Sequence, residues 1–374
     1  MSTEDVGVVA ALAALPNITP RRLSLLLSFG SPDVVWHTLR GDTECTGVLD
    51  VARHAGMEAV WRDFCSAATA QRFAEACMNH EIGVTNVRAD DYPPRLALDH
   101  QAPAVLFYKG RLSAIDSASK CAVVGTRSAS PMGRIFAERL GHDLAAQGVA
   151  VVSGLAKGID AAAHSGVRHA AEGAPPIAVV ANGLDSVYPR HHTGLFRFVA
   201  EAGIVISESP PFTAPEPFRF PLRNRMIAAL ADVLVVVESR ASGGSMHTVD
   251  AAIRRSVQIL AVPGAPGAPA SIGTNRLIAE GCAPCVDATD VLVALGLAHL
   301  PTRLVPVETI GPSKDLLQLL AHGPLTLDQI VSQSGLDLIS AVRHLGGLEV
   351  QGFVAHEGGW WQATGVNTLG ATKM

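Results

Sequence analysis

Cys121-Ala-Val-Val-Gly-Thr-Arg-Ser-Ala-Ser-Pro-Met-Gly133 is the stretch that decides the fold. Four small or apolar residues run into a glycine, a polar turn follows, and then comes Ser130-Pro131. A short, continuous apolar run suits a strand covered on both faces, because both of its sides must then be apolar. Serine followed by proline suits a helix N-cap and first helical position. The stretch therefore reads strand, turn, helix.

The same unit recurs outward in both directions. Further runs are Val149-Ala-Val-Val-Ser153, Ile177-Ala-Val-Val-Ala181, Ile204-Val-Ile-Ser207, Val233-Leu-Val-Val-Val237 and Ile259-Leu-Ala-Val262. Segments such as 131–147 and 158–172 between them are long enough for crossover helices. The expectation is an α/β fold, a Rossmann-like, doubly wound, mostly parallel sheet over residues 81–298.

Both flanks change period. In residues 1–80, Leu12, Leu15, Leu23, Leu26 and Leu27 recur at helical spacing, and Pro16-Asn17 and Gly30-Ser31-Pro32 break the runs. The helical pair around Leu15-Pro-Asn-Ile-Thr19 resembles a helix-hairpin-helix or SAM-like module, without that module's Gly-x-Gly hairpin. A Pro- and Gly-containing linker is expected at 299–312. Residues 313–374 then read as three helices (Lys314 to Leu320, Leu327 to Gln333, Leu338 to Val350) and a hairpin from Gly352 to Trp361, a winged-helix order.

Composition bounds the function. The chain has 374 residues, 48% hydrophobic and only 17% charged, which argues for large cores and against disorder. A net charge of -5 excludes a wholly basic coat, so any DNA-binding charge must gather on one face. Six dispersed cysteines do not make a disulfide framework, and the lone Cys282-x-x-Cys285 lacks a second pair for zinc. No metal or cofactor is expected. The acidic start (Glu4, Asp5) and the absence of a long apolar run point to the cytoplasm.

In an open parallel sheet, ligands bind beyond the carboxyl ends of the strands. Those ends carry Gly125-Thr126-Arg127, then Ser153-Gly154 with Lys157-Gly158, then Asn182, and lastly Gly243-Gly244-Ser245. Glycines admit close backbone approach, and the helices that follow offer free N–H groups to anions. A second cluster, Phe218-Arg219-Phe220-Pro221-Leu222-Arg223-Asn224-Arg225, sets arginines among aromatics, which suits a phosphate backbone and stacked bases. Alternatives stand beside these readings. One of Arg223 and Arg225 pairing with Glu208 or Glu238 would brace the pocket instead. Asp160 and His164, four apart on one helical face, read as a structural pair. Phe218 and Phe220 read as core. His247 has no assigned role.

Enzyme motifs are absent. The first turn lacks G-x-G-x-x-G spacing, and there is neither a P-loop nor a G-x-S-x-G elbow. The rival reading is a nucleotide-processing hydrolase resembling the lysine-decarboxylase-like phosphoribohydrolases. Its Pro-Gly-Gly-x-Gly-Thr-x-x-Glu signature is only distantly matched by Ser242-Gly-Gly-Ser-Met-His-Thr-Val-Asp-Ala251.

The strand-end motifs also carry a resemblance. Val123-Val-Gly-Thr-Arg127, Ser153-Gly-Leu-Ala-Lys-Gly-Ile-Asp160 with His164, Asn182-Gly-Leu-Asp-Ser-Val-Tyr-Pro189, Ser207-Glu-Ser-Pro210, Phe220-Pro-Leu-Arg-Asn-Arg-Met-Ile227, Val262-Pro-Gly264 and Ser271-Ile-Gly-Thr-Asn-Arg-Leu-Ile278 stand in the order of the DprA/Smf family. Over roughly residues 90–292 the chain is similar to that family. The resemblance implies a non-enzymatic protein that binds and protects single-stranded DNA. It implies loading of RecA in natural transformation or recombination, and homodimers through the Rossmann-like domain. Arg127 is implied as central. Ala174-Pro-Pro176 departs from the family's frequent lysine before the third strand, and His247 departs from a small or aliphatic residue.

Overall fold

The computed structural model describes residues 3–116, 118–170, 173–297, 312–350 and 353–363. It divides into two compact units, Met1–His299 and Leu300–Met374. The expected linker at 299–312 lies outside the described residues but for Pro312, as does Gly352 of the expected hairpin.

The first unit opens with six helices: α1 (Thr3–Ala13), α2 (Pro20–Ser28), α3 (Pro32–Arg40), α4 (Thr46–His54), α5 (Glu58–Phe64) and α6 (Ala67–Asn79). The turn signals act as read. Thr19 and Ser31 cap α2 and α3 through their side chains, each with proline at the first position. Leu12, Leu15, Leu23, Leu26 and Leu27 are all buried.

A nine-stranded sheet follows. Its strands are β1 (Gly83–Asn86), β2 (Val105–Gly110), β3 (Lys120–Val124), β4 (Ala150–Ser153), β5 (Ile177–Val180), β6 (Ile204–Ser207), β7 (Val233–Val236), β8 (Gln258–Ala261) and β9 (Ala283–Pro284). The spatial order is β1-β2-β6-β5-β4-β3-β7-β8-β9. Strands β3 to β9 pair in parallel, whereas β1 and β2 add an antiparallel margin. The six apolar runs read from the sequence are β3 to β8. Strand β1 carries no continuous apolar run in Gly83-Val-Thr-Asn86, whereas β2 does carry one, Val105-Leu-Phe-Tyr108, which the expectation did not include.

The helices of this region are α7 (Pro94–Ala97), α8 (Pro131–Ala146), α9 (Ile159–His169), α10 (Thr193–Ala202), α11 (Arg219–Leu230), α12 (Met246–Ile253), α13 (Ile272–Ala279) and α14 (Ala288–Ala294). Strand alternation divides them between two faces. Cys121 and Val123 of β3 pack with α8 and α9, whereas Ala122 and Val124 pack with α11. Both faces are thus covered. The amino-terminal helices share a core with the sheet, since Val8, Leu12 and Trp61 join one apolar cluster with Phe107, Ala178 and Val205.

The chain runs from β3 outward to β4, β5 and β6, then returns to β7 on the other side of β3. That reversal opens a crevice beyond the carboxyl ends of β3 and β7.

The second unit is α15 (Pro312–Leu320), β10 (Leu325–Thr326), α16 (Leu327–Ser334), α17 (Leu338–Val350), β11 (Val354–Glu357) and β12 (Trp360–Ala363). Its own core joins Leu316, Leu320, Ile330, Leu345 and Trp361. The order helix, helix, helix, hairpin is the winged-helix arrangement read from the sequence.

Candidate nucleic-acid interface

A cleft of about 550 Å³ lies in the crevice, lined by Gly125, Thr126, Arg127, Phe220, Arg240, Gly243, Gly244, Ser245 and His247 among others. Beside it a small recess is lined by Gly154, Lys157 and Asn182, with Arg127, Ala156, Tyr188 and Phe220 shared between the two. The loops after β3, β4, β5 and β7 and the start of α11 therefore meet at one place.

Arg127 and Lys157 are solvent-exposed and present their charges there. Arg127 lies over the Phe220 ring, with Cζ 4.3 Å from the centroid. Tyr188, 42% exposed, approaches the same ring at 5.9 Å between centroids. A guanidinium over an aromatic face is attracted by the ring quadrupole. Phe220 is thus half-buried at the cleft, and Phe218 is exposed, so neither is the core residue that the scarcity of aromatics suggested.

The other arginines behave differently. Arg223 is buried, and its guanidinium donates to the carbonyls of Gly154 and Val179 and to Asn224 Oδ1. It serves as a strut that ties α11 to the ends of β4 and β5, and burial lowers its pKa to about 10. A Cβ at position 154 would collide with that guanidinium, so any larger residue there would have to displace the strut. Arg225 pairs with Glu208 at 2.6 Å and donates to the Gln101 carbonyl. Arg219 is bonded to Glu216 at 2.9 Å. Asn224 donates to the Gly244 carbonyl, which links α11 to the loop before α12.

Several predicted residues shape the loops through their side-chain bonds. The Ser153 hydroxyl donates to the Val123 carbonyl, and Asn182 donates to the carbonyls of Gly183 and Ser186. Ser245 donates to the Ser239 hydroxyl. Gly158 has φ +85°, and a Cβ there would strike the Thr126 carbonyl. Glycine is thus demanded by both conformation and contact, and it lets the β4 loop close against the β3 loop.

Two expectations are corrected. The first helix after the central strand does not offer a free N-terminus. Glu238, at the end of β7, accepts from the Ser130 backbone N–H at 2.9 Å and from its hydroxyl, while the Ser130 hydroxyl caps Gly133. A carboxylate of the protein already stands where an anion would bind. Nor do Asp160 and His164 form a pair. Asp160 accepts from the Gly154 N–H, and neither buried ring nitrogen of His164 bonds to it. Burial raises the Asp160 pKa to about 6 against the opposing pull of Arg223, and burial lowers that of His164 to about 4.

Arg240 and His247 are cleft residues that the sequence reading left out of the site. Both are exposed, and the signal for Arg240 was its place directly after the fifth run.

Comparison with known proteins fits this geometry. Residues 83–296 match the family described as DNA recombination-mediator protein A, and residues 301–359 match the DprA winged helix domain. The chain is 32% identical over 224 residues to the DNA processing protein DprA of Bacillus subtilis, covering 60% of this chain and 75% of that protein. The X-ray structure of DprA from Streptococcus pneumoniae superposes with a TM-score of 0.63 at 28% identity, covering 78% of this chain and 98% of that one. DNA processing protein A from Helicobacter pylori, whose single-stranded DNA binding mode has been studied structurally, shares the fold at a TM-score of 0.50 and 24% identity over 57% of this chain and 95% of that one. With the family's domain pair found in order and its motif residues gathered on one sheet edge, the chain belongs to the DNA recombination-mediator protein A family, DprA/Smf.

Proposed function

We propose that this protein binds single-stranded DNA in the strand-end cleft and, as a recombination mediator, presents it to a RecA-type recombinase in the cytoplasm. The observation that carries the reading is the exposed Arg127 stacked on Phe220, with Lys157 and Asn182 beside it. Such a group supplies cations for phosphates and a flat ring for a base, the two elements that non-specific single-strand sites combine. Homodimerisation through the Rossmann-like unit and protection of the bound strand complete the proposal.

The protein acts as a binder, without turnover. Three carboxylates at the strand ends are committed to internal bonds: the buried Asp160 and Glu238 to Gly154 and Ser130, and the partly buried Glu208 to Arg225. No release of free base from nucleoside monophosphates is therefore expected.

Anisotropy titrations with oligodeoxythymidine and with duplex of equal length test the proposal. Tight binding of the single strand with much weaker duplex binding is expected; equal or absent binding to both would overturn it. Arg127→Ala should weaken single-strand binding about tenfold, the equivalent of one lost stacked or ionic contact.

A further inference from the structure

A second and larger groove, of about 1050 Å³, adjoins the cleft. It runs between the amino-terminal helices, from Pro16 to Leu23 and around Phe73, and the segment Glu208–Thr213 after β6. Arg223 borders both spaces, and Val180 and Ala181 border both the groove and the recess at Asn182.

The groove holds two non-glycine residues in the left-handed region, Asn17 at φ 55° and Phe212 at φ 68°. Such conformations cost energy and persist only where the surroundings enforce them. At Phe212 the enforcement is visible. Its N–H donates to Asp185 Oδ1 at 3.1 Å, and the next carbonyl, of Thr213, accepts from the Gly183 N–H at 3.0 Å. The strain presents a ring that is 50% exposed. Arg72 lies 4.5 Å over that ring, and Phe73 meets it edge-on at 5.6 Å. Phe218, 57% exposed at the start of α11, carries Arg219 at 5.0 Å.

The charges facing the groove balance. Asp63, Glu208 and Glu216 offset Arg72, Arg219 and Arg223, and Glu216 is bonded to Arg219. The rings therefore supply the attraction, and a flat, uncharged aromatic partner suits them. A nucleobase meets that description. A peptide fits less well, because Pro16, Pro20, Pro210 and Pro211 on the walls have no N–H and the backbone of Phe212 and Thr213 is already bonded internally.

We propose that this groove is a second subsite for single-stranded DNA, which stacks bases of the strand leaving the cleft on Phe212 and Phe218. The inference rests on the reading that the cleft itself binds single-stranded DNA.

The test compares oligodeoxythymidines of about six and about twenty nucleotides, which fill one subsite or both. Phe218→Ala and, separately, Phe212→Leu should weaken the long oligomer about tenfold and leave the short one unchanged. Arg127→Ala should weaken both. A long oligomer carrying 5-iododeoxyuridine should cross-link wild-type protein within residues 210–218, a readout that no folding defect of a variant can imitate. If Arg127→Ala weakens binding while both phenylalanine variants bind the long oligomer normally and no such cross-link forms, the subsite is refuted and the cleft stands. If Arg127→Ala changes neither oligomer, the cleft reading falls and this inference with it. If the phenylalanine variants lose recombinase binding but keep DNA binding, the groove docks a protein and the proposal is wrong.

Discussion

Asp160 and His164 stand one turn apart on α9 and pull stability in opposite directions with pH. The folded Asp160 titrates at about 6 against an ordinary 3.8, so the folded state holds more protons and gains stability as pH falls from 6 to 4. The folded His164 titrates at about 4 against 6.5, so the unfolded state holds more protons and stability is lost over nearly the same window. Each displacement of about two units is worth roughly 3 kcal/mol, so the two nearly cancel. Asp160→Asn should therefore unmask a steep acid loss between pH 6.5 and 4, and His164→Leu should unmask a gain. Urea unfolding at a series of pH values reads both. The identities of these residues were plain in the sequence. Their separation was not, because four-residue spacing places two side chains on one face without saying that one bonds the Gly154 N–H. Arg223 and Arg127 make the same point, since they share a residue type and a predicted role, and only the fold turns one inward.

At the scale of elements, the helix starts were legible because their signals are local. Ser130-Pro131 named the start of α8, and Thr326 with Gln329 forms a capping box on α16. Ser130→Ala should cost about 1–2 kcal/mol, since it removes the cap and also a partner of the buried Glu238 carboxylate; the midpoint of thermal unfolding measures it. The sequence set Glu238 against an arginine; its bond to Ser130 was not legible because that partner is 108 residues away. The third helix of the winged unit, α17, shows what such a helix can lack. Its only basic groups are Arg343 and His344, and His344 is bonded to Ser313. Leu338, Ile339 and Val342 are exposed instead. A fragment of residues 312–374 should fold, given its own core, yet fail to retard a duplex oligonucleotide in a gel.

For the whole molecule, a net charge of -5 means that DNA must be held by a few local cations rather than by a long-range field. Arg127, Lys157 and Arg240 are the exposed cations that line the cleft or its recess. Three phosphate contacts on a single strand correspond to a log–log salt slope of about -2, and Arg127→Ala should reduce its magnitude by about 0.7. Titration between low and moderate salt measures both values. The doubly wound topology was readable because period and run length alone distinguish strands covered on both sides. The amino-terminal groove was not, since it forms between segments that meet only after the sheet has closed. The carboxylate of Glu238 has one further effect at this scale. A sheet of this shape is a natural home for nucleotides, and every cell holds them at high concentration. By keeping its own acid group at the first helix, the protein carries a permanent occupant in that seat. ATP or NAD at millimolar levels should leave the binding of oligodeoxythymidine untouched, so a strand can be kept among crowding competitors.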